Sequence, residues 1–144
     1  MGQSTIGAGL DTMSANAVEI LEVVKLSKYA TTPKHIFGST NCLDIAIAEG
    51  YVVPQGKLIK METHLALKIP SGYCGLLSGK PAWRERGLEV IQQHIREGEN
   101  CQLLISVIQN VVPALKIFPG AQIAELVLVT VIIPVIKEVA QKKK

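Results

Sequence analysis

Cysteine is scarce and scattered in this chain. Cys42, Cys74 and Cys101 lie far apart, form no CxxC pair, and stand away from all three histidines. That argues against both a zinc site and a disulfide framework. Three reduced thiols in an intracellular compartment, cytoplasmic or nuclear, are expected instead. Charge is thin as well: charged residues make up 19% of the chain, below the roughly 25% usual in soluble proteins. The net charge of +3 is too mild to point to nucleic acid. No apolar run is long enough to cross a bilayer. The most hydrophobic stretch, Leu126 to Ile136, is interrupted by Pro134 and falls well short of the ~20 residues a span requires. Its β-branched content predicts a buried strand. A secretory leader is not visible either, since Met1 to Asn16 is rich in Gly, Ser and Thr and lacks an apolar core.

What is present is apolar and heavily punctuated. Hydrophobic residues are 48% of 144, enough for one domain with a sizeable core. With so few charges, some apolar surface is expected to be buried against copies of the same chain. Turn signals recur at Thr32-Pro33, Gly50, Pro54-Gln55-Gly56, Pro70-Ser71-Gly72, Gly79, Gly87, Gly98, Pro113 and Pro119-Gly120. Short strands between such signals predict an all-β sandwich or barrel. Strands are expected within 18–28 and over Lys57–Leu67, Asn100–Gln109 and Gln122–Val129, with a hairpin turn at Val52–Gly56. Residues 1–18 are expected to be a flexible tail, 19–138 the β domain, and 139–144, ending in Lys142 to Lys144, a basic tail. The three histidines are expected at the surface or in turns.

The order of signals resembles the trimeric dUTPase family. Residues 26–33, LSKYATTP, are similar to its first-strand region. Asn41-Cys42-Leu43-Asp44-Ile45 stands where the family carries Ala-Gly-Tyr-Asp-Leu. Residues 67–75, LKIPSGYCG, match its leucine-proline-x-glycine-x-x-glycine segment. Residues 79–90, GKPAWRERGLEV, align with its phosphate loop and the strand after it, closest to retroviral members. Residues 92–107 align with its nucleoside hairpin, and 118–126, FPGAQIAEL, with a late glycine-aspartate-arginine stretch in which the family aspartate is Ala121 here. The similarity spans roughly residues 20–140. It implies a dUTPase-like jelly-roll or β-clip barrel that assembles as a homotrimer.

The resemblance also implies a chemistry, water attacking the α-phosphorus of dUTP, and that chemistry needs a base, a divalent metal and phosphate donors. Aligned on Ile95 and Gly98, the family's general base falls at Arg96, a guanidinium that stays protonated and cannot act as one. Glu97 is adjacent but on the opposite face of a strand. The aromatic residue that packs on the deoxyribose falls at Glu99. Gln92 and Gln93 replace the small residues beside the pyrimidine. Gly79 and Lys80 are retained in the phosphate loop, but Pro81 and Ala82 follow, lacking an N–H and a hydroxyl respectively. Asp44, which in the family helps hold magnesium through water, survives; its other reading is a structural turn carboxylate. The family's glycine-rich C-terminal arm has no counterpart in residues 139–144. Gly7 to Asp11 looks like the family's first aspartate motif, but out of order, and is read as coincidence.

The expectation is therefore a catalytically inactive dUTPase-like protein that serves as a protein-binding or regulatory module, without cofactor, of the kind certain adenoviral proteins exemplify. Trp83, Arg84 and Arg86 are its candidate partner contacts, and Lys144 does not suit the PDZ partners of the adenoviral proteins. Two alternatives stand beside it: a divergent magnesium-dependent dUTP pyrophosphatase using Asp44, Glu97 or Glu99 on the metal, and a purely structural trimer subunit. No membrane and no specific nucleic acid is expected as a partner.

Overall fold

The computed structural model describes residues 19–38, 41–98 and 100–142. The expected N-terminal tail, the Gly7–Asp11 segment, Glu99, Lys143 and Lys144 lie outside the described residues. The chain is built from β1 (Glu22–Lys25), β2 (Lys34–His35), β3 (Cys42–Ala46), β4 (Tyr51–Pro54), β5 (Ile59–Lys68), β6 (Tyr73–Gly79), the short helix α1 (Pro81–Glu85), β7 (Leu88–Val90), β8 (Gln93–Ile95), β9 (Asn100–Gln109), β10 (Ala114–Ile117) and β11 (Gln122–Thr130). One sheet has the order β1-β5-β9-β7, a second β2-β3-β11-β6-β8, and β4 pairs with β10 as a two-stranded ribbon. All ladders between these strands are antiparallel. The all-β class read from the turn spacing is the one observed.

Alternation along the strands explains the layering. In β5, Met61, Thr63, Leu65 and Leu67 are buried while the residues between them are not. β9 repeats the pattern with Leu103, Ile105, Val107 and Gln109. Inward positions of a strand recur every second residue, so both strands bury one face. They meet Leu43, Ile45, Leu77, Ile95, Ile123 and Leu126 from the other large sheet in one core. The polar members of these rows are satisfied: the Thr63 hydroxyl donates to the Leu103 carbonyl at 2.7 Å, and the Gln109 amide donates to the Val53 carbonyl at 3.0 Å.

Three expectations need correction. The Val52–Gly56 turn has the predicted chemistry, with Gly56 at φ +77°, but it is not a hairpin. The strands on either side, β4 and β5, belong to different sheets. Leu126 to Ile136 is not one buried strand. β11 ends at Thr130, and beyond it Ile132, Ile133, Val135 and Ile136 are all more than four-fifths exposed. β-branched composition reports strand propensity, and burial depends on a partner surface that the described residues do not offer to residues 131–142. Finally, His35 and His94 are exposed, whereas His64 sits inside β5, partly buried, at a bulge where the β5–β9 register shifts between Glu62 and Ala66.

Candidate functional site

Asp44 lies on β3, where Leu43 and Ile45 point into the core and Cys42 and Asp44 face the other way. Across the sheet Asp44 is in register with Glu125 of β11, and Glu125 with Ser78 of β6. One residue past the end of β6, Lys80 folds back over this row. Its ammonium pairs with the Asp44 carboxylate and stands 3.9 Å from Glu125 Oε2. Cys42 Sγ donates to Glu125 Oε1 at 3.4 Å. Burial, then the hydrogen bond to Glu125 and its negative charge, push the Cys42 thiol above its ordinary value, against the opposing pull of Lys80. Asp44 is thus a strand carboxylate in an ion pair, not the turn carboxylate of the structural reading. Sequence reasoning named Asp44 and Lys80 separately and missed Glu125 and Cys42. The two-residue spacing of Cys42 and Asp44 on one strand is the signal that places them on one face.

The segment aligned with a phosphate loop is a single helical turn. Lys80 caps α1 and Pro81 occupies its first position, where a missing N–H costs nothing because the first helical N–H groups lack intrahelical partners. The N–H groups of Trp83 and Arg84 both donate to the Lys80 carbonyl at 3.1 Å. Those donors therefore serve the turn itself. Gly79 has a packing reason for being glycine: a Cβ there would come within 3.0 Å of Val90. Trp83 is half-buried against the core, and the Arg86 guanidinium lies 4.2 Å from its ring centroid. Arg84 and Arg86 are exposed.

In the second group of named residues, Gln92 and Gln93 lie beside the Gly79 half of β6, and Ile95 and Arg96 toward its Tyr73 end. Ile95 is opposite Gly75 and Gln93 opposite Leu77, so Arg96, one step further, lies about five strand residues, roughly 17 Å at ~3.3 Å per residue, along β6 from Gly79. Within one chain Gln92 shares a cleft with Gly79 and Arg84, whereas Arg96 is not brought to Lys80. Arg96 is exposed, while Ile95 beside it is only 3% exposed and belongs to the core. Glu97 is engaged elsewhere: its carboxylate accepts from the Gly72 N–H at 3.0 Å and from the Ser71 hydroxyl at 3.3 Å. The Gln93 amide donates to the Leu104 carbonyl at 2.6 Å, tying β8 to β9. The two arms aligned with a nucleoside hairpin do not pair with each other, since β8 joins β6 and β9 joins β5 and β7. Ala121 is half-buried in the loop before β11 and accepts from the Ile47 N–H at 3.0 Å.

The Asp44 carboxylate faces an ammonium, and the described residues contain no group of three or more His, Cys, Asp or Glu able to hold a metal. Two clefts flank Gln92. One is lined by Ser78, Gly79, Arg84 and Val90, the other by Leu76, Gln93 and His94, and each encloses about 240 Å³. Both are smaller than the roughly 300–1,000 Å³ of small-molecule pockets. No helix among the described residues is long and apolar enough to cross a membrane.

Neither a protein-family model nor a curated protein sequence matches this chain. Solved structures do. A mutant dUTPase from phage phi11 of S. aureus superposes with a TM-score of 0.76 at 23% identity, covering 87% of this chain and 99% of the other. A mutant dUTPase of Staphylococcus bacteriophage 80alpha, with dUpNHpp, gives 0.77 at 23% over 88% and 100%. A further mutant of the 80alpha enzyme gives 0.77 at 24% over 87% and 92%. The chain has the dUTPase-like jelly-roll fold these phage proteins share.

Proposed function

We propose that this chain is a catalytically inactive dUTPase-like protein that keeps a self-associating scaffold and acts as a protein-binding, regulatory module. The observation that carries it is the pairing of Lys80 with Asp44: the lysine neutralises the carboxylate through which the family's metal would be held. Three further features support the same conclusion. The loop N–H groups of Trp83 and Arg84 are consumed by Lys80. Arg96 stands at the aligned base position. Glu97, the nearest carboxylate in sequence, is tied to Ser71 and Gly72. A regulatory role has a parallel in the phage dUTPases of this fold, which are described as controlling transfer of virulence genes by a G protein-like mechanism.

Homotrimeric assembly is part of this proposal. Exposed Ile132, Ile133, Val135, Ile136 and Val139 form an apolar segment with no strand partner among the described residues. Contiguous apolar surface of this kind marks an interface. Sedimentation is expected to give three times the 15.5 kDa chain mass.

Calorimetry with dUpNHpp and magnesium is the test. No heat of binding is expected, and saturable binding would overturn the proposal. A divergent magnesium-dependent dUTP pyrophosphatase is the second reading, favoured by the retention of Asp44, Gly79 and Lys80 at one end of β6. It requires such binding together with pyrophosphate release.

A further inference from the structure

Outside the nucleotide-site positions, three side chains from separate elements converge in a relay. Ser27 lies in the turn after β1, Glu49 in the turn between β3 and β4, and His64 at the β5 bulge. Ser27 Oγ is 2.6 Å from His64 Nδ1, and His64 Nε2 is 2.6 Å from Glu49 Oε2. The proton positions follow from chemistry. The Tyr29 N–H donates to Ser27 Oγ at 3.0 Å, and the Oγ proton is free to point at Nδ1 when that nitrogen carries none. A carboxylate only accepts, so Nε2 carries the imidazole proton and donates it to Glu49. In the Nε2–H tautomer the free lone pair of Nδ1 faces the serine hydroxyl.

The backbone adds an independent observation. His64 adopts φ +56°, a conformation rare for a residue with a Cβ and one that collects at functional positions. The surroundings fix it there. Its carbonyl accepts from the Leu26 N–H at 2.8 Å. The preceding Thr63 hydroxyl accepts from the Leu65 N–H at 3.2 Å, locking the bulge from below. The His64 side chain is 22% exposed and that of Glu49 50%, so reagents in solution reach the relay. Exposed Leu26 and Tyr29 flank Ser27.

We propose that Ser27, His64 and Glu49 form a nucleophilic relay that hydrolyses small carboxylic esters with apolar acyl groups. Ser27 Oγ attacks the ester carbonyl carbon while its proton passes to His64 Nδ1. The bond to the leaving alcohol breaks, and that oxygen takes the proton from His64, leaving acyl-Ser27. Water then attacks the acyl carbon, gives a proton to His64, and releases the acid as Ser27 Oγ recovers that proton. Glu49 is a positioning residue: it holds the imidazole tautomer and stabilises the imidazolium formed in each step. The open surroundings suit small, activated substrates.

The test treats the full chain with a fluorophosphonate, followed by intact-mass and peptide analysis, and measures p-nitrophenyl acetate hydrolysis in parallel. One phosphonyl addition on Ser27 is expected, absent in Ser27→Ala. His64→Gln is expected to slow labelling about 100-fold, within the range of a lost general base. Glu49→Gln keeps a hydrogen-bond acceptor and is expected to slow labelling roughly 10-fold while the melting temperature holds, with Glu49→Asp recovering part of the rate. A relay that only tethers the turn to the bulge would change melting and leave reactivity alone. No addition to the native protein, or equal labelling of native and folded His64→Gln chains, would overturn the proposal.

Discussion

The two ends of strand β6 hold their charged groups in different ways. At the Gly79 end the charged groups are still present but occupied with one another, Lys80 with Asp44 and Glu125. At the Tyr73 end the groups themselves differ, with Arg96 exposed and Glu97 bonded to the neighbouring turn. Between them Ile95 remains a core residue. Surface charges can thus be paired within a sheet at one end and tied to a turn at the other, while the packing beneath is shared because stability depends on it.

Substitutions can break this comparison, and the largest effect is expected at Ile95. Ile95→Ala should destabilise the fold by about 2–4 kcal/mol, the usual cost of a buried truncation, whereas Arg96→Ala next to it should stay within ~0.5 kcal/mol. Denaturant midpoints of the two variants measure the contrast; equal losses would mean that the Arg96 side chain supports the fold. Lys80→Ala comes next. It strands two carboxylates of which Asp44 has a side chain only 18% exposed, and should cost roughly 1–3 kcal/mol. Adding Asp44→Ala should return part of that loss, which a double-mutant cycle reads directly. Glu97→Gln should cost no more than ~1 kcal/mol, since it weakens two exposed hydrogen bonds.

The smallest effect concerns Cys42. Its thiol is raised above the ordinary value of 9.0 by burial and then by Glu125. A raised thiol contributes stability fully below that ordinary value and loses it as pH climbs through the folded value. Glu125→Gln removes the hydrogen bond and the negative charge, so alkylation of Cys42 at pH 8 should quicken roughly 2–5-fold as the thiolate fraction grows. An unchanged rate would leave burial and the charge of Asp44 as the causes.

The sequence carried the architecture further than the contacts. Dense turn residues and two-residue alternation in Ile59–Lys68 and Asn100–Gln109 were enough for an all-β domain, because period and punctuation are local properties. The Val52–Gly56 turn misled for a related reason: its residues specify a turn, not which sheet each flanking strand joins. Residues 131–136 misled because apolar composition cannot say whether a partner surface exists. In the candidate site, Asp44 and Lys80 were legible one at a time, but their pairing spans 36 residues of sequence. The Ser27–His64–Glu49 relay gave no signal at all, since a bulge and two turns assemble it across separations of 37 and 15 residues.

The most direct measurement is pyrophosphate release from dUTP by the purified chain in the presence of magnesium. With a cation at position 96 and the Asp44 carboxylate held by Lys80, turnover no faster than the buffer background is predicted. Release at an ordinary enzymatic rate, about 1 per second or more, would contradict the account.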